Sequence, residues 1–369
     1  MKIVFLCGFL EPGKCGVGDY TRRLAAELIR QGHETAIVAL NDKFIKNKFV
    51  GFQLLESINV PILRLPSSSS ALERFKGAKI YIDEFNPKWL SFQFVLFSFN
   101  EKGLPFGLSN RMYELGKNRQ WHIMFHELWL GMEKEAKLKF ILWGTVQRIL
   151  ITTILRKLKP NVVHTQSQLY QVALAILKVK GEFLPLISNI PVTAKKIEPS
   201  YKQLSLVIFG SIYEDAPITE FAKEAGAFAK KHGVEIRLVS IGRNRRASRA
   251  WIKVCQSEGL IVESLGEQPA ERISEVLGSA SFGISTTPFI LAEKSGTVIA
   301  MREHGLPVIC ISRPYGIKRK IKLKFLPGIM EYVLGNLESC LTSQRYFPPI
   351  NNSVEQVSTE FIQSLASTK

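Results

Sequence analysis

Residues Ser285 to Val308 read STTPFILAEKSGTVIAMREHGLPV. The apolar segment Ala280 to Ser285 predicts a buried strand that leads into this stretch. A helix is expected to begin after Ser295, a good N-cap residue, and to end at Gly305. Leu306 to Ile309 predicts the next strand. The order strand, loop, helix, strand is that of a βαβ unit, so the stretch predicts a parallel sheet covered by helices.

The helix start inside this stretch is a candidate anion site. Lys294, Ser295, Gly296 and Thr297 stand where the helix should begin. Free backbone N–H groups and the positive end of the helix dipole favour an anion there, and Lys294 adds a full charge. We interpret the segment as a cradle for a diphosphate. The alternative is an ordinary capped turn of a βαβ unit.

Similar units occur in both halves of the 369-residue chain. Lys2 to Gly8 predicts a strand, Tyr20 to Gln31 a helix and Thr35 to Leu40 a second strand, and a second series starts at Leu204. The predicted fold class is therefore α/β, with two Rossmann-like, doubly wound parallel-sheet domains. The expected divisions are an N-terminal domain over 1–192, a linker over 193–203, a C-terminal domain over 204–352, and a last helix within 353–369 that packs back on the first domain.

Composition narrows the class of protein. Hydrophobic residues make up 46% of the chain, enough for two buried cores. No uninterrupted apolar run approaches the roughly 18 residues of a spanning helix, so none is expected. The N-terminal MKIVFLCGFL is interpreted as a buried strand and not as a signal peptide. Five scattered cysteines without a CxxC pair favour a reducing compartment, and the expected location is cytoplasmic.

The formal net charge of +17 favours anionic partners. Nucleic acid is not expected, because no helix-turn-helix signature or aromatic stacking motif accompanies the basic residues. The segment Lys134 to Lys159 predicts a long helix that is both basic and apolar. It indicates either contact with an anionic membrane surface, with the protein peripheral on the inner face of the plasma membrane, or a packed helix with a solvated basic face.

The N-terminal half offers a second group of candidates. The loop after the first strand contains Gly16, Gly18 and Asp19, but its glycines do not match the dinucleotide-binding spacing. Gln93 is a polar residue inside the apolar run from Trp89 to Phe97. His126 and Glu127 directly follow a predicted strand, at the edge where open α/β sheets bind ligands. A structural histidine at this edge is the alternative.

Three islands carry a resemblance to a known family: GVGDYTRRLAAELIRQGHE (Gly16 to Glu34), FHELW (Phe125 to Trp129) and HGLPVI (His304 to Ile309). With two doubly wound halves, they resemble the GT-B glycosyltransferases, and more narrowly the retaining family 4 enzymes. That resemblance implies two domains facing across a cleft. It also implies transfer of a hexosyl-type sugar from a nucleotide-sugar donor to a glycan or lipid-linked acceptor, in polysaccharide biosynthesis, with retained anomeric configuration.

The resemblance also implies roles for the candidate residues. The catalytic group is His126, Glu127 and Glu293. The donor-binding group is Gly16, Gly18, Ser211, Arg243, Lys294, Ser295, Gly296 and Thr297. The acceptor side is Asp19, which is expected to cap its helix, and Gln93. No DxD pair is found, so neither a metal nor another cofactor is expected.

The sequence departs from the family pattern at its glutamate pair. Counting back from Gly305, the two glutamate positions are Ala292 and Ala300. Glu293 stands one residue from the first and is a substitute for it, whereas nothing replaces the second. A non-catalytic glycan-binding or scaffold protein of the same fold, or another sugar-nucleotide enzyme such as an epimerase or phosphorylase, therefore stays open as an alternative.

Overall fold

The computed structural model describes residues 1–193, 202–210, 212–242, 246–317, 323–343, 346–350 and 353–368. Within these ranges the chain forms two compact units. The first contains Met1–Pro185, Gly316, Ile317 and the segment from Ser353, and the second contains Leu186–Tyr315 and the described residues between 323 and 350. Gly316 and Ile317 belong to the first unit, although they lie inside the range 204–352 that was predicted to form the C-terminal domain.

The first unit is built on a sheet in the order β3-β4-β2-β1-β5-β6-β7-β8. The strands are β1 Lys2–Cys7, β2 Glu34–Asp42, β3 Phe49–Leu55, β4 Ile58–Pro66, β5 Trp89–Phe94, β6 Gln120–Phe125, β7 Val162–Thr165 and β8 Glu182–Phe183. Its helices before the linker are α1 Gly16–Arg30, α2 Ala71–Phe85, α3 Leu108–Leu115, α4 Leu138–Leu158 and α5 Gln168–Ile176. All strand pairs are parallel except β3 with β4.

The second unit has a parallel sheet in the order β11-β10-β9-β12-β13-β14. The strands are β9 Gln203–Phe209, β10 Glu235–Ile241, β11 Ile261–Gly266, β12 Phe282–Ser285, β13 Val308–Cys310 and β14 Ile329–Glu331. The helices are α6 Ile218–His232, α7 Arg246–Ser257, α8 Ala270–Ser279, α9 Gly296–Glu303 and α10 Leu337–Thr342. This strand order is that of a doubly wound nucleotide-binding sheet. The predicted α/β class with two parallel-sheet units is confirmed.

A final helix, α11 (Val354–Ala366), belongs to the first unit. The ring of Phe361 stacks on Phe5 of β1 with centroids 5.9 Å apart, and both side chains are fully buried. Gln31, at the end of α1, donates from Nε2 to the hydroxyl of Ser358 at 2.6 Å. The first strand and the last helix therefore share one hydrophobic core.

Some predicted elements have different limits in the structure. Helix α1 begins at Gly16 and not at Tyr20, so Gly16, Gly18 and Asp19 lie in the helix and not in the loop before it. The basic helix begins at Leu138 and not at Lys134, and the backbone N–H of Lys134 donates to the carbonyl of Gly316 at 2.8 Å. The strand predicted over Trp89 to Phe97 ends at Phe94, where a 3-10 turn over Leu96–Ser98 takes its place.

Helix α4 also departs from the expectation that no helix could span a membrane. By length and composition alone it qualifies, with a mean hydropathy of 1.4 over its best window. Gly144, Gln147 and Arg148 interrupt the apolar run, so no uninterrupted stretch in the sequence indicates this helix. Only 28% of that window is buried, yet the residues that are buried form one face packed within the first unit: Gly144, Gln147, Ile151, Ile154, Leu155 and Leu158.

Candidate functional site

The loops at the carboxyl edge of the first sheet are tied together at Gly8. A Cβ added at Gly8, just after β1, would lie 2.5 Å from Cβ of Ser98, so only glycine permits this approach. The backbone N–H of Asn41 donates to the carbonyl of Gly8 at 2.8 Å, and its side-chain amide donates to the carbonyl of Ser98 at 2.9 Å. Strands β1 and β5 meet where the strand order reverses, which is where open α/β sheets bind ligands.

The start of α1 is built differently from the prediction. Cys15 is the N-cap, with its Sγ accepting from the N–H of Gly18 at 3.4 Å, so Asp19 does not cap the helix. Asp19 instead accepts from the N–H of Gly13 at 3.1 Å and pairs with Arg22, and so fixes the preceding loop. A Cβ at Gly18 would meet the carbonyl oxygen of Phe9 at 2.7 Å, so Gly18 serves internal packing.

Gly16 differs from Gly18 in its surroundings. No atom lies within 4 Å of the position that its Cβ would take, so the first residue of α1 faces open space. Of the two predicted loop glycines, Gly16 alone leaves its backbone approachable by a ligand.

Glu127 follows His126 at the carboxyl edge and is half-buried.

His126 is held by two glutamines inside the first unit. Its side chain is 7% exposed, with Nε2 2.9 Å from Oε1 of Gln93 and Nδ1 3.1 Å from Oε1 of Gln166. Gln93 was predicted as a site residue, and the structure brings it directly against His126. Gln166 was not predicted, although it stands just after β7 at the same edge of the sheet.

A polar chain runs from His126 across neighbouring strands on one face of the sheet. Gln93 donates to Ser91 Oγ at 2.8 Å, and Ser91 Oγ is 2.7 Å from Nδ1 of His122. Nε2 of His122 is 3.0 Å from Nδ1 of His164, whose Nε2 lies 4.0 Å from the Glu182 carboxylate. We define the polar chain as Gln166, His126, Gln93, Ser91, His122, His164 and Glu182.

Burial keeps two histidines of the polar chain neutral. Loss of hydration lowers the pKa of His164 to about 4, against a weaker opposing effect of the Glu182 charge. Burial lowers the pKa of His122 well below its usual value, and the neighbouring His164 and His126 lower it further. A neutral imidazole has one donor and one acceptor nitrogen. Each of these rings therefore accepts a hydrogen bond on one side and donates one on the other, so all hydrogen bonds along the chain point the same way.

One arrangement of protons satisfies the whole polar chain. If His164 directs its Nε2–H toward Glu182, its Nδ1 accepts from His122 Nε2–H, and Nδ1 of His122 accepts from the Ser91 hydroxyl. Ser91 Oγ accepts from Gln93, whose Oε1 then accepts from His126 Nε2–H. Nδ1 of His126 needs a donor, and turning over the Gln166 amide supplies one, since nitrogen and oxygen of an amide are interchangeable in assignment.

Three buried polar atoms in the first unit, two of them in side chains that contact His126, have no hydrogen-bond partner of standard geometry among the described residues. They are the Tyr20 hydroxyl, Nε2 of Gln166 and the Ser167 hydroxyl, all in side chains less than 5% exposed. The Tyr20 ring packs edge-on against His126 with centroids 5.2 Å apart, and burial raises the pKa of its hydroxyl. Turning over the Gln166 amide satisfies its nitrogen and turns its oxygen toward the hydroxyl of Tyr20, which interacts with the Gln166 side chain. The Ser167 hydroxyl, at the N-cap of α5, is left to bond a polar ligand or water.

In the second unit the predicted diphosphate cradle forms a cluster of hydroxyls. Thr287 Oγ1 donates to Ser295 Oγ at 3.2 Å, and Ser295 Oγ is 3.1 Å from Thr297 Oγ1. Ser295 occupies the N-cap of α9 as predicted, but its hydroxyl bonds these threonines and caps no backbone N–H. Gly296 is exposed, with no atom within 4 Å of its Cβ position, so the first turn of α9 is accessible.

Two strand ends converge on this cluster. Gly210, after β9, has φ +92°, and a Cβ there would meet Cγ2 of Thr297 at 2.6 Å. Gly242, after β10, lies next to Gly210, whose carbonyl oxygen would be 3.4 Å from a Cβ at Gly242. Strands β9 and β12 are neighbours at the point where this sheet reverses its order. The predicted residues Ser211 and Arg243 adjoin these glycines in sequence but lie outside the described residues.

The glutamate positions of the resembling family are apolar here. Ala292 and Ala300 are 3% and 0% exposed and belong to the hydrophobic core of the second unit. Glu293 and Lys294 are half-buried, in the 3-10 turn over Phe289–Lys294 that precedes α9. Within the described residues no group of three or more His, Cys, Asp or Glu is arranged to hold a metal ion. Metal independence stays a prediction.

The HGLPVI island has a structural role. His304 donates from Nδ1 to the carbonyl of Ala300 at 2.7 Å, and its Nε2 is 2.9 Å from the hydroxyl of Ser274. Arg302 is fully buried and donates to the carbonyls of Leu306 and Pro348, both at 3.0 Å. These contacts fix α9 in its unit and so support the cluster at its start.

No protein-family model matches the chain, and a search of curated proteins returns no match. Solved structures do match over the whole length. The apo lipopolysaccharide outer core galactosyltransferase WaaB superposes with a TM-score of 0.59 at 12% identity, covering 100% of both chains. The catalytic domain of starch synthase IV from Arabidopsis thaliana, bound to ADP and acarbose, gives 0.57 at 11% identity, covering 100% and 99%.

A third similar structure is the UDP-GlcNAc 2-epimerase from Neisseria meningitidis bound to UDP-GlcNAc, with a TM-score of 0.56 at 11% identity, covering 99% of this chain and 100% of the other. At such identities the likeness shows the fold and not the reaction. The two parallel-sheet units, the strand order of the second sheet and these superpositions together show that the chain has the fold of the GT-B glycosyltransferases.

Proposed function

We propose that the protein is a glycosyltransferase that uses a nucleotide-sugar donor. The observation that carries the proposal is the accessible start of α9, at the reversal point of the second sheet. Glycines at the ends of β9 and β10, the exposed Gly296 and the cluster Thr287, Ser295 and Thr297 surround it. This arrangement suits a diphosphate, because backbone N–H groups, hydroxyl donors and the helix dipole all favour negative charge.

The proposed roles follow from this chemistry. As the bond to the sugar breaks, the leaving diphosphate gains negative charge, and preorganised donors stabilise it. Lys294, Ser295, Gly296 and Thr297 are assigned to the diphosphate, together with Ser211 and Arg243. Glu293 is assigned to donor-sugar hydroxyls. Retention of configuration and independence of a metal are part of the proposal and come from the resemblance.

The first unit is proposed to carry the acceptor side. His126 sits in a fixed orientation between Gln93 and Gln166, and the hydroxyl of Ser167, the residue after Gln166, has no partner of standard geometry in the described residues and suits the hydroxyl groups of a sugar. Glu127 completes this proposed group at the carboxyl edge of the sheet, while Gly16, with open space at its Cβ position, stays assigned to the donor. Asp19 is assigned a positioning role through its bond to Gly13.

We further propose that α4 rests on an anionic membrane surface, with a glycan or lipid-linked acceptor and a cytoplasmic, peripheral location. Leu138, Leu142, Val146 and Ile149 recur at helical spacing and are 70%, 61%, 36% and 59% exposed. We call these four residues the apolar stripe. Exposed apolar side chains in a row, with Lys139 and Arg156 on the same helix, are typical of a helix that lies in a membrane interface.

The threonines of α4 support the same interpretation. Thr145, Thr152 and Thr153 are each bonded through the hydroxyl to the carbonyl four residues earlier, at 2.9, 2.8 and 2.9 Å. Their hydroxyls are thereby satisfied within the helix, so these three threonines need no polar partner outside it. A polar side chain in an apolar medium needs such an internal partner.

The donor site can be tested by isothermal titration with UDP, GDP and ADP. At least one is expected to bind, and Lys294→Ala should weaken that binding by roughly tenfold, since a charge-assisted contact is lost. Lys223→Ala, an exposed lysine on α6, is the matched control and should bind as the wild type does. Absence of binding by all three nucleotides would contradict the proposed donor site.

A sugar-nucleotide epimerase is the second candidate, favoured by the superposition on a UDP-GlcNAc 2-epimerase. Incubation with a UDP-sugar distinguishes the two by product. A glycosyltransferase gives slow release of UDP and free sugar without acceptor, whereas an epimerase changes the sugar's configuration. A non-catalytic glycan-binding protein, favoured by the alanines at the two glutamate positions, should leave the donor intact.

A further inference from the structure

A cavity of about 250 Å³ lies within the first unit, between α4, α5 and the loop that follows His126. Its walls include Trp129, Met132, Ile141 and Leu169, and Ile317 closes one side. The lining is mainly apolar, which is typical of sites for small organic ligands. None of the residues assigned above to the donor or to the acceptor side lines it.

The cavity walls are fixed by close backbone contacts. A Cβ at Gly131, with φ +74°, would meet the carbonyl oxygen of Phe140 at 2.7 Å, and one at Gly144 would collide with the carbonyl of Leu130. Gln147 is fully buried, accepts from the N–H of Leu130 at 2.9 Å and donates to the carbonyl of Gly103 at 3.2 Å. The loop and the helix are therefore locked together, and the cavity is preformed.

One cation faces this apolar space. Arg148 lines the cavity, is exposed, and has no carboxylate partner within the part of the chain that the structure describes. Thr145 also lines it, but its hydroxyl is already used by the carbonyl of Ile141. A ligand that fits this cavity therefore has an apolar body and one negatively charged group beside it. The guanidinium of Arg148 can bind such a group through paired hydrogen bonds.

The cavity adjoins the apolar stripe. Ile141, Thr145 and Arg148 line the cavity, while Leu142, Val146 and Ile149 follow each of them by one residue and therefore occupy the adjacent row of the helix. An amphiphile at the stripe would need to cross only one row of side chains to enter. This continuity distinguishes a lipid from a freely dissolved apolar ligand.

We infer that the cavity binds one apolar chain of an anionic membrane lipid, with the phosphate of its headgroup at Arg148. The apolar lining takes the chain, the guanidinium takes the phosphate, and the stripe supplies the route from the membrane. The inference rests on the proposed membrane contact for the source of the lipid. It is independent of the donor site.

The test is titration with decyl phosphate below its micelle concentration, in the absence of vesicles and nucleotide. One molecule is expected to bind, and inorganic phosphate and decyltrimethylammonium should bind at least roughly tenfold more weakly, because each lacks one of the two recognised parts. Failure here, with vesicle binding intact, would overturn the lipid site and leave the membrane contact standing.

Variants locate the site. Arg148→Gln should weaken the binding of decyl phosphate by roughly tenfold. Arg156→Gln, the same substitution on the same helix but away from the cavity, should leave this binding unchanged. Thr145→Trp and Val172→Trp fill the cavity from opposite walls, α4 and α5, and each should abolish binding. The two variants alter different helices. If one of them fails to fold, the other still tests whether filling the cavity abolishes binding. Unchanged binding in a folded filling variant, or equal binding of the anionic and cationic amphiphiles, would overturn the inference.

Discussion

Gly210 and Thr297 approach so closely that a Cβ on Gly210 would lie 2.6 Å from the methyl carbon of Thr297. The end of β9 and the first turn of α9 are therefore fitted against each other without space for a side chain. Since Thr297 also bonds Ser295, the position of the hydroxyl cluster depends on a glycine in a different element. The proposed diphosphate site is set by this contact as well as by the helix itself.

Gly210→Ala is expected to weaken nucleotide binding by roughly tenfold, because overpacking of about 1–3 kcal/mol must displace Thr297. Gly233→Ala is the matched control, since Gly233 also has a positive φ, +60°, but has nothing within 4 Å of its Cβ position. It should lower stability by about 1 kcal/mol and leave nucleotide affinity unchanged. Calorimetric titration measures the affinity. Equal affinities in the two variants would contradict the proposed role of the contact.

Hydrogen-bond geometry predicts the tautomers of three histidines, two in the polar chain and one in the second unit. We expect His122 and His164 to carry the proton on Nε2, because this arrangement lets Ser91 donate to His122 and directs the Nε2–H of His164 toward the Glu182 carboxylate. His304 should carry it on Nδ1, which donates to the carbonyl of Ala300. Nitrogen-15 spectra of imidazole-labelled protein distinguish the two forms, and His304 provides the internal contrast. Nδ1 protonation of His164 would rule out the proposed direction.

The same histidines make stability depend on pH. The folded pKa of His164, about 4, lies below its usual 6.5, so between these values the unfolded chain binds a proton that the folded chain does not. The free energy of unfolding should therefore fall as pH drops from about 6.5 toward 4, by up to about 1.4 kcal/mol per pH unit for each such histidine. Urea titrations between about pH 7 and pH 5 measure the slope.

His164→Gln should make this slope shallower, since glutamine retains a donor and an acceptor but does not titrate. His232→Gln, at a surface position paired with Glu338, serves as the control and should leave most of the slope in place. A slope that His164→Gln leaves unchanged would show that other groups cause the acid sensitivity.

Membrane contact through the apolar stripe can be tested by sedimentation with anionic liposomes. Leu142→Ser with Ile149→Ser should weaken binding by roughly tenfold or more, because burial of each side chain contributes about 1.5–3 kcal/mol. Leu72→Ser is the control, at a leucine that is 80% exposed on α2. Binding should also fall with added salt. Equal sedimentation with neutral and anionic liposomes would contradict the electrostatic part of the proposal.

The alternating apolar strands and amphipathic helices predicted the two parallel-sheet units correctly, because periodicity reflects burial directly. The antiparallel hairpin of β3 and β4 was not predicted. Its turn residues, Glu56 and Ser57, both have positive φ, at 46° and 68°, without the glycine or asparagine that normally marks such a turn. Local sequence preference gave no signal there.

Of the candidate sites, one was predicted from the sequence and the other was mostly not. The start of α9 was found from its order of residues, because a helix N-terminus is a local feature. The polar chain was missed except for Gln93 and His126, since it depends on the pairing of strands that are distant in sequence. A signal was present in β5, where Ser91 and Gln93 stand two residues apart and so face the same side of a buried strand.

The stacking of Phe361 on Phe5 has a consequence for the order in which the molecule forms during synthesis. Gln31 and Ser358, which join the end of α1 to α11, are 327 residues apart in the chain. While the ribosome is still translating the second unit, the helix that covers Phe5 has not been made. The N-terminal half is thus synthesised early, but its core is completed only when α11 has been made. Until then the hydrophobic surface around Phe5 lacks the helix that covers it.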